Sequence, residues 1–204
     1  LEVEHISKRY HYQKVLKDIS LQFPDAGIVA IVGPSGCGKS TLLHILGGID
    51  HDFQGDLLWN HRSVKHHLTH YRRHHVSFIF QQFHLIMWLS LKQNVSLPRF
   101  FHKQEKVSLK LEMDELKHQS LSSLSMGQRQ RLAYLRSHYH HSDILLCDEP
   151  TGSLDPQYAK AVMELLKEES LHRLVILVSH DEKLVREYSD EIYMMQDGKI
   201  INHE

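Results

Sequence analysis

An α/β fold with a parallel β-sheet at its centre is what this chain of 204 residues predicts. Ile28-Val29-Ala30-Ile31-Val32, Ile144-Leu145-Leu146-Cys147 and Leu174 to Val178 are short unbroken apolar runs, the pattern of strands buried on both faces. Helical stretches fall between such runs: Thr41 to Leu46, which stops at Gly47-Gly48, then Gln157 to Glu169, then Asp181 to Tyr188, with Ile192 to Met195 as a further strand. Strands alternating with helices of this length imply right-handed crossovers and hence a parallel sheet.

The remaining elements follow in order. Leu1 to Ser7 and Val15 to Phe23 read as strands joined by a turn, and Asp56 to Trp59 before Asn60-His61 reads as a hairpin arm, so an antiparallel β layer is expected beside the parallel core. From Leu85 to about Ser120 strand alternation is lost and helix formers dominate, with Val107, Leu109, Leu111, Met113 and Leu116 as candidate buried positions. The expected organisation is one domain over residues 1–204, with core and β layer in 1–84 and 139–204 and a helical subdomain near 85–138.

Composition narrows the function classes. Lys and Arg number 24 against 25 Asp and Glu, a net charge of −1 that argues against non-specific nucleic-acid binding, so no nucleic-acid partner is expected. Two cysteines, Cys37 and Cys147, suit a reducing compartment. No apolar run approaches the ~20 residues of a membrane span, and Leu1-Glu2-Val3-Glu4 lacks signal-peptide character. A first residue other than Met leaves two expectations, a small separate subunit or a segment cut from a longer polypeptide.

Gly33-Pro34-Ser35-Gly36-Cys37-Gly38-Lys39-Ser40-Thr41 matches G-x-x-x-x-G-K-[ST] between a strand and a helix, the context that identifies a phosphate-binding loop. The glycines let successive N–H groups and the helix N-terminus face phosphate oxygens. Lys39 supplies a mobile positive charge at the β and γ phosphates, and the Ser40 hydroxyl suits Mg²⁺. Asp148 and Glu149 follow the apolar run 144–147, at a strand's carboxyl end where open α/β sheets bind ligands. Asp148 is the candidate Mg²⁺ ligand, and Glu149 the candidate group polarising a water that attacks the γ-phosphate. The fold expectation is therefore a P-loop NTPase that takes ATP and Mg²⁺.

Leu124-Ser125-Met126-Gly127-Gln128-Arg129-Gln130-Arg131, followed by an apolar helix, resembles the LSGGQ signature of the ATP-binding cassette (ABC) ATPases. Ser153-Leu154-Asp155 is similar to that family's D-loop, and Val178-Ser179-His180-Asp181 to its switch histidine, so the resemblance spans essentially the whole chain in family order. Phe78-Ile79-Phe80-Gln81 with Phe83-His84-Leu85 and Asn94-Val95 resembles the branch that exports macrolides, lipoproteins and antimicrobial peptides.

The resemblance implies an ATP-hydrolysing nucleotide-binding domain that works as a head-to-tail homodimer on a transmembrane permease, separate or fused, at the cytoplasmic face of the membrane. It implies that Gln81, with Gln82 as alternative, touches Mg²⁺ and the attacking water and senses the permease. It implies that Tyr10, with Tyr12 as alternative, stacks on adenine, while Ser125, Gly127 and Gln128 bind the partner copy's ATP. His180 would contact the γ-phosphate, and Asp155 would link the two sites at the dimer seam. Two departures stand out: Met126 occupies the place of the first signature glycine, and the interval from Gln81 to Ser125 is short for the branch, which points to a trimmed helical insertion and puts the permease surface in question.

Histidine is abundant, 19 residues, with His66, His67, His70, His74 and His75 close together and His70/His74 at helical i, i+4 spacing. No neighbouring carboxylate or cysteine completes a metal site there, and a solvated face is the expectation for these and for His138, His140 and His141. Small size suffices to explain Cys37 and Cys147, with a nucleotide-protected reactive thiol as the alternative. Two rivals remain: an ABC-type ATPase acting on DNA or ribosomes, which would need arms, zinc cysteines or a second cassette, and a regulatory cassette with little hydrolysis, for which Met126 leaves room.

Overall fold

The computed structural model describes residues 1–97, 119–152 and 154–204. The centre is a six-stranded sheet in the order β10-β9-β3-β8-β7-β6, formed by β3 (Gly27–Val32), β6 (Val76–Ile79), β7 (Ile144–Asp148), β8 (Leu174–Ser179), β9 (Glu191–Gln196) and β10 (Lys199–His203). All pairs are parallel except β9 with β10. A second, antiparallel sheet, β2-β1-β4-β5, comprises β1 (Glu2–Tyr10), β2 (Gln13–Gln22), β4 (Gln54–Trp59) and the two-residue β5 (Arg62–Ser63). The α/β expectation with a flanking antiparallel layer holds.

The apolar runs are unbroken because both faces of the central sheet are covered. Val29, Ile31, Ile144, Leu146, Ile176 and Val178 point toward the antiparallel sheet and α1 (Lys39–Leu46), which buries Leu42, Leu43, Ile45 and Leu46 there. Their neighbours in sequence, Ile28, Ala30, Leu145, Cys147, Val175 and Leu177, point the other way onto α5 (Pro156–Ser170) and α6 (Glu182–Tyr188). Each aliphatic side chain taken fully from water contributes about 1.5–3 kcal/mol, and the period of two divides that burial between the two layers.

A third apolar cluster stands apart from the sheet and joins α3 (Leu91–Ser96) to α4 (Met126–His138) through Leu91, Val95, Leu121, Leu124, Leu132 and Leu135. Tyr134 on α4 belongs instead to the cluster beneath the sheet, so α4 straddles the two. Val107, Leu109, Leu111, Met113 and Leu116 lie outside the described residues, as does Ser153. No helix among the described residues is long and apolar enough to cross a membrane.

Three elements were not visible in the sequence, among them β10 at the carboxyl-terminal edge of the sheet. The His-rich stretch is helix α2 (Leu68–His75), in which Leu68 and Tyr71 alone are buried and the His70 and His74 rings stack at 4.2 Å. The adjoining β6 is four residues long and forms the edge of the parallel sheet against β7.

A buried charge cluster closes the amino-terminal end of the sheet. The buried Arg173 guanidinium pairs with Glu169 Oε2 at 2.7 Å and donates to Ser142 Oγ at 3.1 Å and Ser77 Oγ at 3.4 Å, tying the α5–β8 corner to β6 and β7. Tyr134 OH donates to Glu169 Oε1 at 2.9 Å, and His138 Nδ1 lies 2.5 Å from the same oxygen. Burial alone would raise the Glu169 carboxyl, but His138, Arg173 and Tyr134 overcome it and bring the pKa down to about 2. A depressed carboxyl stabilises the fold fully above the ordinary value of 4.5, and that contribution disappears as pH falls toward 2. Glu169→Gln, which leaves Arg173 buried without its counter-charge, is expected to destabilise the protein by about 3 kcal/mol at neutral pH. Urea unfolding across the acid range should show the variant losing less stability on acidification than the parent.

Candidate active site

The carboxyl ends of β3, β8 and β7 bring the predicted residues together. The loop after β3 begins at Gly33, where a Cβ would lie 2.0 Å from the Met195 carbonyl oxygen, so no larger residue fits beside β9. Gly38 precedes α1 with no side-chain cap and the first turn of α1 holds no acidic residue, so the amides of the helix N-terminus remain directed outward as anion donors. Lys39 Nζ donates to the carbonyls of Gly33 at 2.8 Å and Pro34 at 3.0 Å, which engages two of its three protons within its own loop.

Ser40 Oγ donates to Asp148 Oδ1 at 2.9 Å, joining the start of α1 to the end of β7. Burial raises the Asp148 carboxyl above its ordinary value, against the Ser40 hydrogen bond and the charges of His44 and Lys39, which favour ionisation. The next residue, Glu149, has φ of 48°, a left-handed backbone that typically costs a non-glycine residue about 1–3 kcal/mol. That turn carries its carboxylate off the strand line, and His180 Nδ1, at the residue after β8, meets Glu149 Oε2 at 2.9 Å.

Ser35, Gly36, Gly38, Lys39, Ser40 and Thr41 line a cavity of about 450 Å³ together with Gln81, Glu149 and His180. Gln81 lies on that wall, whereas its alternative Gln82 does not. Val15 of β2 also lines it, a residue the sequence marked only as strand. Cys37 sits in the loop with its thiol buried, close to Gly33. Tyr10, at the end of β1, does not line the cavity and donates its hydroxyl to Asp50 Oδ2 at 2.8 Å, while Tyr12 is 96% exposed in the turn beyond it.

The signature residues lie elsewhere. Ser125 caps α4 by accepting from the Gln128 amide at 3.2 Å, and the Gln128 side chain accepts from the Ser125 amide at 2.8 Å, a reciprocal capping box. None of Ser125, Gly127 or Gln128 lines the cavity. A Cβ on Gly127 would meet nothing within 4 Å among the described residues, so their packing places no demand for glycine there. Met126 is exposed and has ordinary helical backbone, which leaves its amide at the N-terminus of α4. Asp155 caps α5, accepting from the amides of Gln157 and Tyr158. Among the described residues no three His, Cys, Asp or Glu side chains gather as a metal-holding group.

The profile of the ABC transporter family matches residues 16–152. The chain is 37% identical to the ABC transporter ATP-binding protein YxdL of Bacillus subtilis, over 99% of this chain and 85% of that one. It is 36% identical to the macrolide export ATP-binding/permease protein MacB of Pasteurella multocida over 98% of its own length but spans 34% of that relative. Proteins named for sulfate/thiosulfate and methionine import match at 34% and 32% identity. Among solved structures, the dimeric post-hydrolysis state of the ATP-binding cassette MJ0796 bound to ADP and Pi superposes with a TM-score of 0.88 at 31% identity, covering 100% of this chain and 97% of that one. The chain belongs to the ABC transporter family and is an ATP-binding, ATP-hydrolysing cassette.

The Cys147 thiol should be inert in the native protein. Burial pushes the Cys147 thiol far above its ordinary pKa, so a maleimide should leave it unmodified in the native protein. Peptide mapping should recover the Cys147 peptide unlabelled from the native protein and labelled after unfolding in urea.

Proposed function

We propose that this cassette drives transport through a membrane permease, in the export direction, as a Mg²⁺-dependent homodimer at the cytoplasmic face of the membrane. One observation carries the dimer reading: the hydrolytic groups Lys39, Gln81, Glu149 and His180 converge on one cavity, while Ser125 and the sterically unconstrained Gly127 stand outside it. A glycine in a helix costs roughly 0.5–1 kcal/mol relative to alanine. With nothing among the described residues requiring Gly127, the close approach of an outside group is the reason for it, and the partner copy's γ-phosphate is that group.

In this reading the loop amides from residue 35 onward, with the N-terminus of α1, hold the β and γ phosphates, and Lys39 turns from its loop carbonyls onto them. The Ser40–Asp148 pair offers a hydroxyl and a carboxylate oxygen side by side, which suits Mg²⁺ because that ion takes few protein oxygens and completes its shell with water and phosphate. Bound there, the ion would neutralise phosphate charge. Glu149 accepts a hydrogen bond from the attacking water, and His180, fixed against Glu149, orients both that water and the γ-phosphate. Gln81, which lines the same cavity, would touch Mg²⁺ and the attacking water and sense the permease. Water oxygen bonds to the γ-phosphorus as its bond to the bridging oxygen breaks, giving ADP and phosphate.

Export is favoured by the relatives named for macrolide and syringafactin export. The permease contact is supported by Trp88, 86% exposed, and exposed Met87, which follow the Gln81 segment just before α3 and form an apolar surface of the kind that marks a protein partner. The structural division into core with β layer and helical subdomain follows the same reading.

Glu149→Gln, which removes the basic carboxylate without changing shape, should migrate as a dimer on size exclusion with ATP and Mg²⁺ and as a monomer without them, while the unmodified protein releases phosphate. ATP binding with neither dimer nor phosphate release would favour the regulatory alternative that Met126 leaves open. Gly127→Ala should keep or raise thermal stability, by roughly 0.5–1 kcal/mol, yet lower phosphate release at least about ten-fold, equivalent to about 1.4 kcal/mol of barrier.

A further inference from the structure

We infer that Asp50 is a positioning residue that, with Lys8, presets the Tyr10 ring as the platform for the purine base and ties that platform to the helix carrying the phosphates. The inference rests on the reading of Tyr10 as the base-stacking residue.

Lys8 is a lysine with a side chain 4% exposed, an unusual place for an ammonium group unless it is paired. Its Nζ donates to Asp50 Oδ1 at 2.8 Å, to the Asp52 carbonyl, and to Asp52 Oδ2 at 3.3 Å. The same Nζ lies 4.8 Å from the centroid of the Tyr10 ring, within cation–π range. Tyr10 OH donates to the other oxygen of Asp50, Oδ2, at 2.8 Å. One carboxylate therefore holds both the ammonium against the ring and the hydroxyl at the ring's end. Burial would raise the Asp50 carboxyl, but the bonds from Lys8 and Tyr10 lower it and keep it the charged acceptor that this arrangement needs.

Asp50 is itself anchored to α1, since its amide and that of Ile49 both donate to the carbonyl of His44. Base platform and phosphate loop thus hang from the two ends of one short helix, α1, which fixes the distance between them. Tyr10 remains 46% exposed with its hydroxyl and its ammonium contact already made, so surface is left for a base. A side chain ordered beforehand loses no rotamer freedom on binding, a saving worth roughly three- to ten-fold in affinity. Neutralising a buried Lys8 is the structural alternative, and it has no need of the Tyr10 hydroxyl.

The test compares calorimetric binding of ATP with that of inorganic tripolyphosphate, which has the phosphates and no base. Tyr10→Phe keeps the ring and the Lys8–Asp50 pair; it should weaken ATP roughly three- to ten-fold while leaving tripolyphosphate affinity and the thermal midpoint unchanged. Asp50→Asn should weaken ATP similarly, and should add nothing in a Tyr10→Ala background. ATP affinity unchanged in Tyr10→Phe, or an additive Asp50→Asn effect that extends to tripolyphosphate, would overturn the positioning role. If Tyr10→Ala fails to weaken ATP relative to tripolyphosphate, the base-stacking reading itself falls. Should Asp50→Asn not fold, the two Tyr10 variants still decide.

Discussion

The parallel pairing of β3, β8 and β7 is the constraint on which the rest of this molecule depends. Val32 pairs with Ser179, and Val178 with Asp148, so the three strands end within one residue of one another. Three turns therefore start side by side: Gly33 leads into the phosphate loop, His180 follows β8, and Glu149 follows β7. Shift any one strand by a single residue and its buried and outward faces exchange, which would turn Asp148 away from Ser40 and put Ile or Val onto the wrong layer. The geometry of the chemistry is set by aliphatic packing on both faces of a sheet whose candidate Mg²⁺ ligand, Asp148, stands at the last residue of β7.

Polar groups gather at the two ends of that sheet and are excluded from its middle. At the carboxyl end the charges of Lys39 and Asp148 are held by loop carbonyls and a serine hydroxyl, contacts that a ligand can exchange. At the amino end Glu169 is hydrogen-bonded by Tyr134 and His138 and ion-paired with Arg173, which also reaches Ser142 and Ser77. The two arrangements serve opposite purposes. The amino-end contacts tie helix to strands within the fold, whereas the strained backbone at Glu149 and the uncapped start of α1 keep donors and acceptors available.

Much of this was legible in the amino-acid order, because β3, β7 and β8 are buried on both faces and leave unbroken apolar runs, and because the phosphate loop has a sequence pattern set by backbone geometry. Helix α2 escaped notice because it touches the core through two residues, Leu68 and Tyr71, amid histidines and arginines. Strand β6 is too short to show a period of its own and owes its existence to pairing with β7, 68 residues away in its first register pair, Val76 with Ile144. Val15 and Asp50 carried no local sign of their place at the site, since each arrives there through contacts distant in sequence. The choice between Gln81 and Gln82, open in the sequence, is a matter of which of two adjacent side chains faces the cavity.

Helix α4 is fastened unevenly, and mechanics follows from that. Its last turns are pinned through His138 and Tyr134 to Glu169, while among the described residues its start is held by the Ser125–Gln128 cap and by the preceding Leu124 in the small cluster shared with α3. Thirteen residues make a rod of about 20 Å at 1.5 Å per residue. Pivoting about its pinned end, such a rod sweeps its tip by about 0.3 Å for each degree. A tilt of a few degrees, small enough to leave the fulcrum's hydrogen bonds intact, carries the tip through an ångström, which is the difference between touching a phosphate oxygen and missing it.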